Sequence, residues 1–227
     1  MRSPCLHILS FVLVVITLSL CILEANAQQE AITCGSVVKL IHSDSGYHLH
    51  SHPIAWGSGS GQQSVTATQD KNSAGSLWVV KESTTQPISC EIGQPIQCNS
   101  PIRLEHAQTS KNLHSHLFRA ALSGNQEVSA FGEIGSGDTG DNWIIRCDSN
   151  SEKFWRRNQV VHFEHTDTRK FLYATANAKF NHQNCGQGCP IMGQLEMSAA
   201  QYRSQATKFR TGQGVYFPTQ VKDNDEL

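Results

Sequence analysis

The sequence predicts an all-β fold built from three copies of one repeat. The same order of short motifs recurs about every 60 residues. Within each motif apolar and polar residues alternate, as they do in strands with one buried face. Clusters of Gly, Ser and Asp separate the motifs, as at 57–61 and 135–140. Each repeat is therefore expected to be a small set of strands joined by tight turns.

Four motifs in each repeat predict one strand each. The first motif is an apolar run that ends in His, at 37–42, 101–106 and 160–165. The second begins with Leu, at 49–52, 113–116 and 172–175. The third ends in Ala, at 64–67, 127–130 and 196–199. The fourth is marked by an aromatic residue, which is Trp78, Trp143 or Phe209.

A sheet of about twelve strands has to curl or close, and closure removes its exposed edges. Three four-stranded units about a threefold axis form a β-trefoil with pseudo-threefold symmetry, which is the predicted fold. A three-bladed propeller is the alternative, although propellers usually have at least four blades. The stretch 197–206 is the single helical candidate, and the alignment of the repeats assigns its start to a strand.

The two ends of the chain predict passage through the secretory pathway. Residues 1–27 have the pattern of a cleaved signal peptide, with a basic start, an apolar run at 8–23 and small residues before position 28. An uncleaved signal anchor is the alternative. The final residues resemble the addresses that return lumenal proteins to the endoplasmic reticulum, and they are Asn224, Asp225, Glu226 and Leu227. A soluble protein of the endoplasmic reticulum lumen is expected.

The predicted organisation places the repeats between two tails. A short tail at 28–32 follows the signal peptide, and a longer tail at 213–227 carries the retention-like ending. The repeats are placed at 33–88, 95–149 and 150–212. The net charge of −1 gives no reason to expect nucleic acid or an acidic membrane surface as a partner.

The motifs of the first two repeats resemble those of the MIR domain family. Leu-His-Ser-His occurs at 49–52 and again 64 residues later, at 113–116. This resemblance covers nearly the whole chain after the signal peptide and implies a β-trefoil. It also implies a role in protein folding and the stress response, with a lumenal Hsp40-type co-chaperone, Hsp70 and misfolded client proteins as partners. Glycan binding or regulation of protein O-mannosylation are the alternatives.

The oxidising lumen of the endoplasmic reticulum permits disulfides. The alignment of the repeats predicts which cysteines form two of them. Cys34 and Cys98 each precede the first strand of a repeat, whereas Cys90 and Cys147 each follow its closing Trp. A trefoil unit brings its two ends together. We therefore expect Cys34 to pair with Cys90, and Cys98 to pair with Cys147.

A third candidate disulfide would be local. Cys185 and Cys189 are separated by three residues, two of which are Gly, so the chain can turn back tightly between them. A free dithiol with a redox function is the alternative. It lacks the Cys-x-x-Cys spacing and the adjacent helix that lower the pKa of a reactive thiol.

Two pairs of histidines make a candidate ligand pocket in the first two repeats. Residues two apart on a strand share a face. The two histidines of each pair and the Ser between them could hydrogen-bond a hydroxyl-rich ligand such as a glycan. The six residues are His50, Ser51, His52, His114, Ser115 and His116. Zinc binding is the alternative, but the third repeat has Tyr173 and Thr175 at the corresponding positions.

The remaining repeated histidines predict a structural role. His42, His106 and His165 end the first strand of each repeat, and we expect them to hydrogen-bond turn backbone inside their own repeat. The sequence shows no nucleophile with a base at a familiar spacing, no paired carboxylates and no phosphate loop. It therefore predicts a binding protein with no catalytic residue, no cofactor and no metal site.

Overall fold

The computed structural model describes residues 30–85, 90–149 and 151–219, and in this part of the chain it has thirteen strands in one antiparallel sheet. The all-β prediction is confirmed. The predicted signal peptide at 1–27 and the retention-like ending at 224–227 lie outside the described residues. Among the described helices, none has the length and apolar character needed to cross a membrane.

The strands follow the predicted motifs. The first predicted repeat contains β1 (Val37–His42), β2 (His48–Ala55), β3 (Gln63–Thr68) and β4 (Trp78–Glu82). The second contains β5 (Pro101–His106), β6 (Lys111–Arg119), β7 (Gln126–Phe131) and β8 (Trp143–Cys147). The third contains β9 (Val161–His165), β10 (Phe171–Tyr173), β11 (Leu195–Glu196), β12 (Ser198–Ala200) and β13 (Phe209–Val215). The third motif of the last repeat is divided at Met197, which makes the additional strand.

Helical structure in the described residues is limited to single turns. A three-residue 3-10 turn precedes the last strand of each predicted repeat, at Ala74–Ser76, Thr139–Asp141 and Gln205–Thr207. The helix α1 (His182–Cys185) lies in the long connection between β10 and β11. The start of the helical candidate at 197–206 is a strand, as the alignment of the repeats predicts.

Six of the strands close into a ring. β1 pairs with β4, β4 with β5, β5 with β8, β8 with β9, β9 with β13, and β13 returns to β1. The hairpins β2–β3, β6–β7 and β10–β12 lie outside this ring. The hairpins pair with one another through β3–β7 and β7–β12, and the short strand β11 pairs with β3. Each predicted repeat therefore contributes its first and last strands to the ring and one hairpin outside the ring.

The core is made of equivalent apolar residues. A Leu from each second strand and an aromatic residue from each last strand are fully buried, and these residues are Leu49, Leu113, Leu172, Trp78, Trp143 and Phe209. Burial of each such side chain contributes about 1.5–3 kcal/mol. The indole N–H of Trp78 donates to the Leu49 carbonyl at 3.2 Å, and that of Trp143 donates to the Leu113 carbonyl at 2.9 Å. Each indole hydrogen bond therefore links the last strand of a predicted repeat to the second strand of the same repeat.

The histidine at the end of each first strand joins neighbouring repeats. Its Nε2 lies within hydrogen-bond distance of a backbone carbonyl in the 3-10 turn of the adjacent repeat. The pairs and distances are His42–Ala206 at 3.0 Å, His106–Gly75 at 3.0 Å and His165–Gly140 at 2.9 Å. The expectation that these histidines bond turn backbone in their own repeat is therefore wrong. Closure of the ring brings each of them against the adjacent turn.

Each of these rings is held as a neutral histidine. Because a carbonyl oxygen only accepts, Nε2 carries the proton and Nδ1 accepts from the hydroxyl of a Ser or Thr three residues later, at 2.8–2.9 Å. Burial lowers the pKa of His42, His106 and His165 below the usual 6.5. Each ring also packs against the aromatic residue of a last strand, with centroids 5.0–5.2 Å apart.

Residues of both predicted tails belong to the folded part. Ile32 is fully buried in the core, and Ala31 bridges to Arg156. At the other end, β13 continues to Val215, which pairs with Val37. Strand pairing therefore extends into residues of the segments predicted as tails at 28–32 and 213–227.

Three disulfides join the pairs expected from the sequence. Cys34–Cys90 and Cys98–Cys147 have Cα atoms 5.5 and 5.7 Å apart and span 56 and 49 residues. Cross-links over such loops restrict the unfolded chain and stabilise the fold by about 3–4 kcal/mol each. Cys185 is bonded to Cys189, so the free dithiol considered for this pair is not what the structure shows.

Removing one inter-repeat histidine tests its contribution to stability. We expect His106→Ala to lower the free energy of unfolding by about 2–4 kcal/mol, because it leaves the buried Gly75 carbonyl without its donor and opens a cavity beside Trp78. His182→Ala, at an exposed position in α1, is the matched control and should change it by less than about 0.5 kcal/mol. Urea unfolding measures both. Equal midpoints for wild type and His106→Ala would contradict this account.

The lowered histidine pKa values predict a pH dependence. An unfolded histidine titrates near 6.5, whereas these buried rings titrate lower. Below about pH 6.5 the unfolded chain therefore binds more protons, and the free energy of unfolding should fall as the pH is lowered from 7.5 to 5.5. Urea titrations at intervals across this range measure the slope. A constant or rising stability over the same interval is the opposite result.

Candidate functional site

The six predicted pocket residues lie in two corresponding places, one per repeat. His50, Ser51, His114 and Ser115 are buried, whereas His52 and His116 are partly exposed. We call the group formed by His50, His52, Ser73, Ser76 and His106 the first histidine site. The group formed by His114, His116, Asp138, Asp141 and His165 is the second histidine site. Each site lies where a second strand meets the 3-10 turn of its own repeat.

The first histidine site is neutral. His50 Nδ1 lies 3.3 Å from Ser76 Oγ and 3.4 Å from Ser73 Oγ. The His52 ring is 5.1 Å from the His50 ring. Burial, together with the neighbouring His52 and His106, lowers the pKa of His50 to about 4. At neutral pH the imidazole therefore carries no charge, and it is surrounded by hydroxyl groups.

The second histidine site has the same layout with carboxylates in place of the hydroxyls. His114 Nδ1 lies 2.9 Å from Asp141 Oδ1 and 3.6 Å from Asp138 Oδ1. Asp141 is fully buried, and this burial raises the pKa of its carboxyl group. Next to it, His116 Nε2 lies 3.1 Å from Glu127 Oε1. This site therefore concentrates negative charge around two imidazole rings.

A glycine allows each histidine to approach its turn. A Cβ on Gly75 would lie 2.5 Å from His50 Cε1, and a Cβ on Gly140 would lie 2.5 Å from His114 Cε1. The third repeat has Ala206 in the corresponding turn and Tyr173 on the corresponding strand. Glycine therefore occurs in the two turns that face a histidine of the second strand.

The serines between the histidines hydrogen-bond the neighbouring strands of the sheet. Ser51 Oγ donates to the Ser64 carbonyl at 2.8 Å, and Ser115 Oγ donates to the Glu127 carbonyl at 2.7 Å. Each serine oxygen also accepts from a buried glutamine, Gln63 or Gln126, at 2.8 Å. Ser51 and Ser115 therefore fix the β2–β3 and β6–β7 hairpins, and their hydroxyl protons are already engaged.

The second histidine site opens into a cleft of about 510 Å³. Acidic residues of this cleft include Asp138, which is half-exposed, and Asp167, whose Oδ2 accepts from Thr139 Oγ1 at 2.7 Å. Leu117 at the rim is 84% exposed, and the neighbouring Phe118 packs on the His116 ring. The residues that line the cleft include no Lys or Arg. An occupant of this cleft is therefore expected to be polar or positively charged.

Sequence reasoning identified the histidines and missed the turn residues that face them. Ser73 and Asp138 immediately precede the three-residue turns of the first and second repeats. Ser76 and Asp141 are the last residues of these turns, just before the closing Trp. The available signal was a glycine three positions before Trp78 and Trp143, which is absent before Phe209. This glycine is needed because the turn backbone lies close to a histidine side chain, a contact that the spacing of residues within a motif does not reveal.

The close approach at Gly140 generates a stability prediction. Gly140→Ala places a methyl group against the His114 ring, and we expect it to lower the free energy of unfolding by about 1–3 kcal/mol. Gly57→Ala is the matched control, because Gly57 has open space around its Cβ position and no positive φ. Because the two sites are coupled, the double variant with His114→Ala should lose less stability than the sum of the losses in the two single variants. If Gly140→Ala unfolds like Gly57→Ala in urea, the packing described is incorrect.

Comparison with known proteins identifies the family. The MIR domain family matches residues 30–187. A stromal cell-derived factor 2-like protein of Dictyostelium discoideum is 41% identical over 216 residues, covering 91% of this chain and 97% of that protein. The crystal structure of the SDF2-like protein from Arabidopsis thaliana has a TM-score of 0.77 at 35% identity, over 84% of this chain and 99% of that one.

A more distant likeness concerns the fold alone. The structure of the S. cerevisiae protein O-mannosyltransferase Pmt1-Pmt2 complex has a TM-score of 0.70 at 22% identity, covering 89% of this chain and 28% of that one. The match to the MIR domain family and the identity with the Dictyostelium protein extend over most of this chain. The chain belongs to the stromal cell-derived factor 2 family of MIR-domain proteins.

Proposed function

We propose that this protein is a non-enzymatic folding and quality-control factor of the endoplasmic reticulum lumen. It binds a lumenal Hsp40-type co-chaperone, and through it Hsp70, and helps to keep misfolded client proteins soluble during stress. The observation that carries the proposal is the pairing of Cys34, Cys90, Cys98, Cys147, Cys185 and Cys189 in three disulfides. Such bonds form and persist in oxidising compartments.

The fold assigned to this binding module is a β-trefoil of three MIR repeats. Support comes from the ring of six strands, to which every predicted repeat contributes its first and last strand. Further support comes from the three hairpins that pair with one another beside it. A closed ring of strands offers a rigid scaffold whose loops are available for other molecules.

The hydrogen bonds of the candidate polar residues support the non-enzymatic part of the proposal. Ser51 and Ser115 donate their hydroxyl protons to backbone carbonyls, so neither is paired with a base as a nucleophile would be. The imidazole Nδ1 atoms of His50 and His114 face their 3-10 turns. These residues of the first and second histidine sites therefore serve the packing of the hairpins.

Partner capture from living cells tests the chaperone role. The tagged protein, with the ending at 224–227 kept, should recover a lumenal Hsp40 and Hsp70 after mild cross-linking, and recovery should increase under folding stress. An unrelated lumenal protein with the same signal peptide and the same ending is the control for general proximity. Enrichment that does not exceed this control would rule out the proposed partnership.

A second candidate function is glycan binding, or regulation of O-mannosylation through it. The open cleft of the second histidine site favours it, because His116, Thr139 and Asp167 present hydrogen-bonding groups to solvent there. In the corresponding place of the first site, His52 has a buried Nε2 to which the structure assigns no hydrogen-bond partner.

A glycan array distinguishes this second candidate from the first. Saturable binding that is lost in His116→Ala and His52→Ala, with unchanged thermal unfolding, would favour glycan recognition. We expect no saturable binding above that of a denatured sample, because the serines of the predicted pocket are engaged in the hairpins. Binding that survives both substitutions would locate any glycan site elsewhere on the protein.

A further inference from the structure

The two histidine sites differ systematically in charge. Both have a histidine at the same place on a second strand, a glycine in the facing turn and two side-chain oxygen atoms within 3.6 Å of the imidazole Nδ1. Three neutral residues of the first site region correspond to acids in the second. The corresponding pairs are Ser73 and Asp138, Ser76 and Asp141, and Ser64 and Glu127.

The geometry of the second site suits a small cation. His114 Nδ1, an Asp138 oxygen and an Asp141 oxygen all lie within 4.8 Å of one another. The separations from His114 Nδ1 are 2.9 Å to Asp141 Oδ1 and 3.6 Å to Asp138 Oδ1. Ligands about 2.1 Å from a tetrahedral Zn²⁺ are about 3.4 Å apart. The three atoms therefore need only a small adjustment to share one ion.

The electrostatics of the site favour a positive charge. Asp141 is fully buried, and a buried carboxylate is costly unless it is hydrogen-bonded or paired with a positive charge. Its Oδ2 accepts the Asp138 backbone N–H at 2.8 Å, which leaves Oδ1 directed to His114. The cleft lining contains no Lys or Arg that could neutralise the pair. The half-exposed Asp138 gives an ion a path from solvent to the buried ligands.

We propose that His114, Asp138 and Asp141 form a binding site for a divalent transition-metal ion such as Zn²⁺. The ion bonds to His114 Nδ1, and the proton of the neutral ring then resides on Nε2. Asp138 and Asp141 supply one carboxylate oxygen each, and water from the cleft completes the coordination. One neutral imidazole and two carboxylates bring a charge of −2 to the ion, which balances its charge.

The ligand set explains why the sequence did not predict this site. A zinc site was considered from histidines two apart on one strand, but His116 is directed to Glu127 and does not join the cluster. The additional ligands are Asp138, which immediately precedes the Thr139–Asp141 turn, and Asp141, which ends it. The same set discriminates between ions, because Ca²⁺ takes oxygen ligands alone whereas imidazole suits Zn²⁺.

Zinc titration of the untagged protein tests the proposal. Isothermal titration calorimetry at pH 7.5 should show one Zn²⁺ bound per chain, and Ca²⁺ at equal concentration should give no such binding. Asp138→Asn keeps an acceptor for the Gly140 N–H but removes the charge, and it should weaken the Zn²⁺ affinity by at least about tenfold. Asp141→Ser recreates the arrangement of the first site and should have the same effect.

A matched variant separates coordination from general electrostatics. Asp167→Asn removes a carboxylate from the same cleft but outside the ligand set, and its Zn²⁺ affinity should stay within about threefold of wild type. Nitrogen-15 spectra of the histidine rings add a direct readout: Zn²⁺ should shift His114 Nδ1 and leave His50 Nδ1 unchanged. Absence of one-to-one binding to wild type, or equal affinities in wild type and Asp138→Asn, would overturn the proposal.

Discussion

Three buried, neutral histidines bond each predicted repeat to its neighbour, and the closed ring of strands depends on this arrangement. In each case a carbonyl oxygen of a 3-10 turn in one repeat accepts the Nε2 proton of a histidine in another. A buried carbonyl without a donor is destabilising by about 1–3 kcal/mol. The turn and the histidine therefore have to be brought together whenever the ring forms. The aromatic residue packed on each ring adds apolar burial to the same contact.

Closure also shows which part of the fold the sequence can predict. Strand positions, buried Leu and aromatic residues and both long disulfides follow from motifs within a repeat, because their partners are set by alternation and by the meeting of a repeat's ends. The backbone partner of His106 could not be predicted in the same way. It lies in another repeat, 31 residues away, and its position is set by the closed ring. The pairing of Val215 with Val37 has the same origin.

The three predicted repeats differ in the residue that contacts a loop of the neighbouring repeat. Glu127 accepts the Ser60 N–H and hydroxyl of the β2–β3 loop, and Glu196 accepts the N–H groups of Leu122 and Ser123 in the β6–β7 loop. In the first repeat the corresponding residue is Ser64, whose buried hydroxyl has no partner in the structure. The long loop between β10 and β11 therefore lacks this carboxylate contact. It is restrained by the Cys185–Cys189 disulfide and by packing of Phe180 against Trp56.

In the candidate site too, the sequence motifs predict some residues and the folded structure alone identifies the others. The histidines of the second strands stand out in the sequence because they recur, but the residues facing them come from turns with no motif of their own. The turn residues change from hydroxyls to carboxylates between the first and second sites while the backbone arrangement is kept. A common backbone arrangement with variable turn residues can place different chemistry at corresponding positions.

The protonation state of the three inter-repeat histidines tests the central claim most directly. Long-range nitrogen–proton correlation spectra of the histidine rings, recorded from pH 7.5 to 5.5, report the tautomer and the charge of each ring. This account predicts that His42, His106 and His165 keep the proton on Nε2 at pH 7.5 and that each has a pKa below the usual 6.5. Rings that titrate near pH 6.5, or that carry the proton on Nδ1, would show that these histidines do not bond the neighbouring repeat.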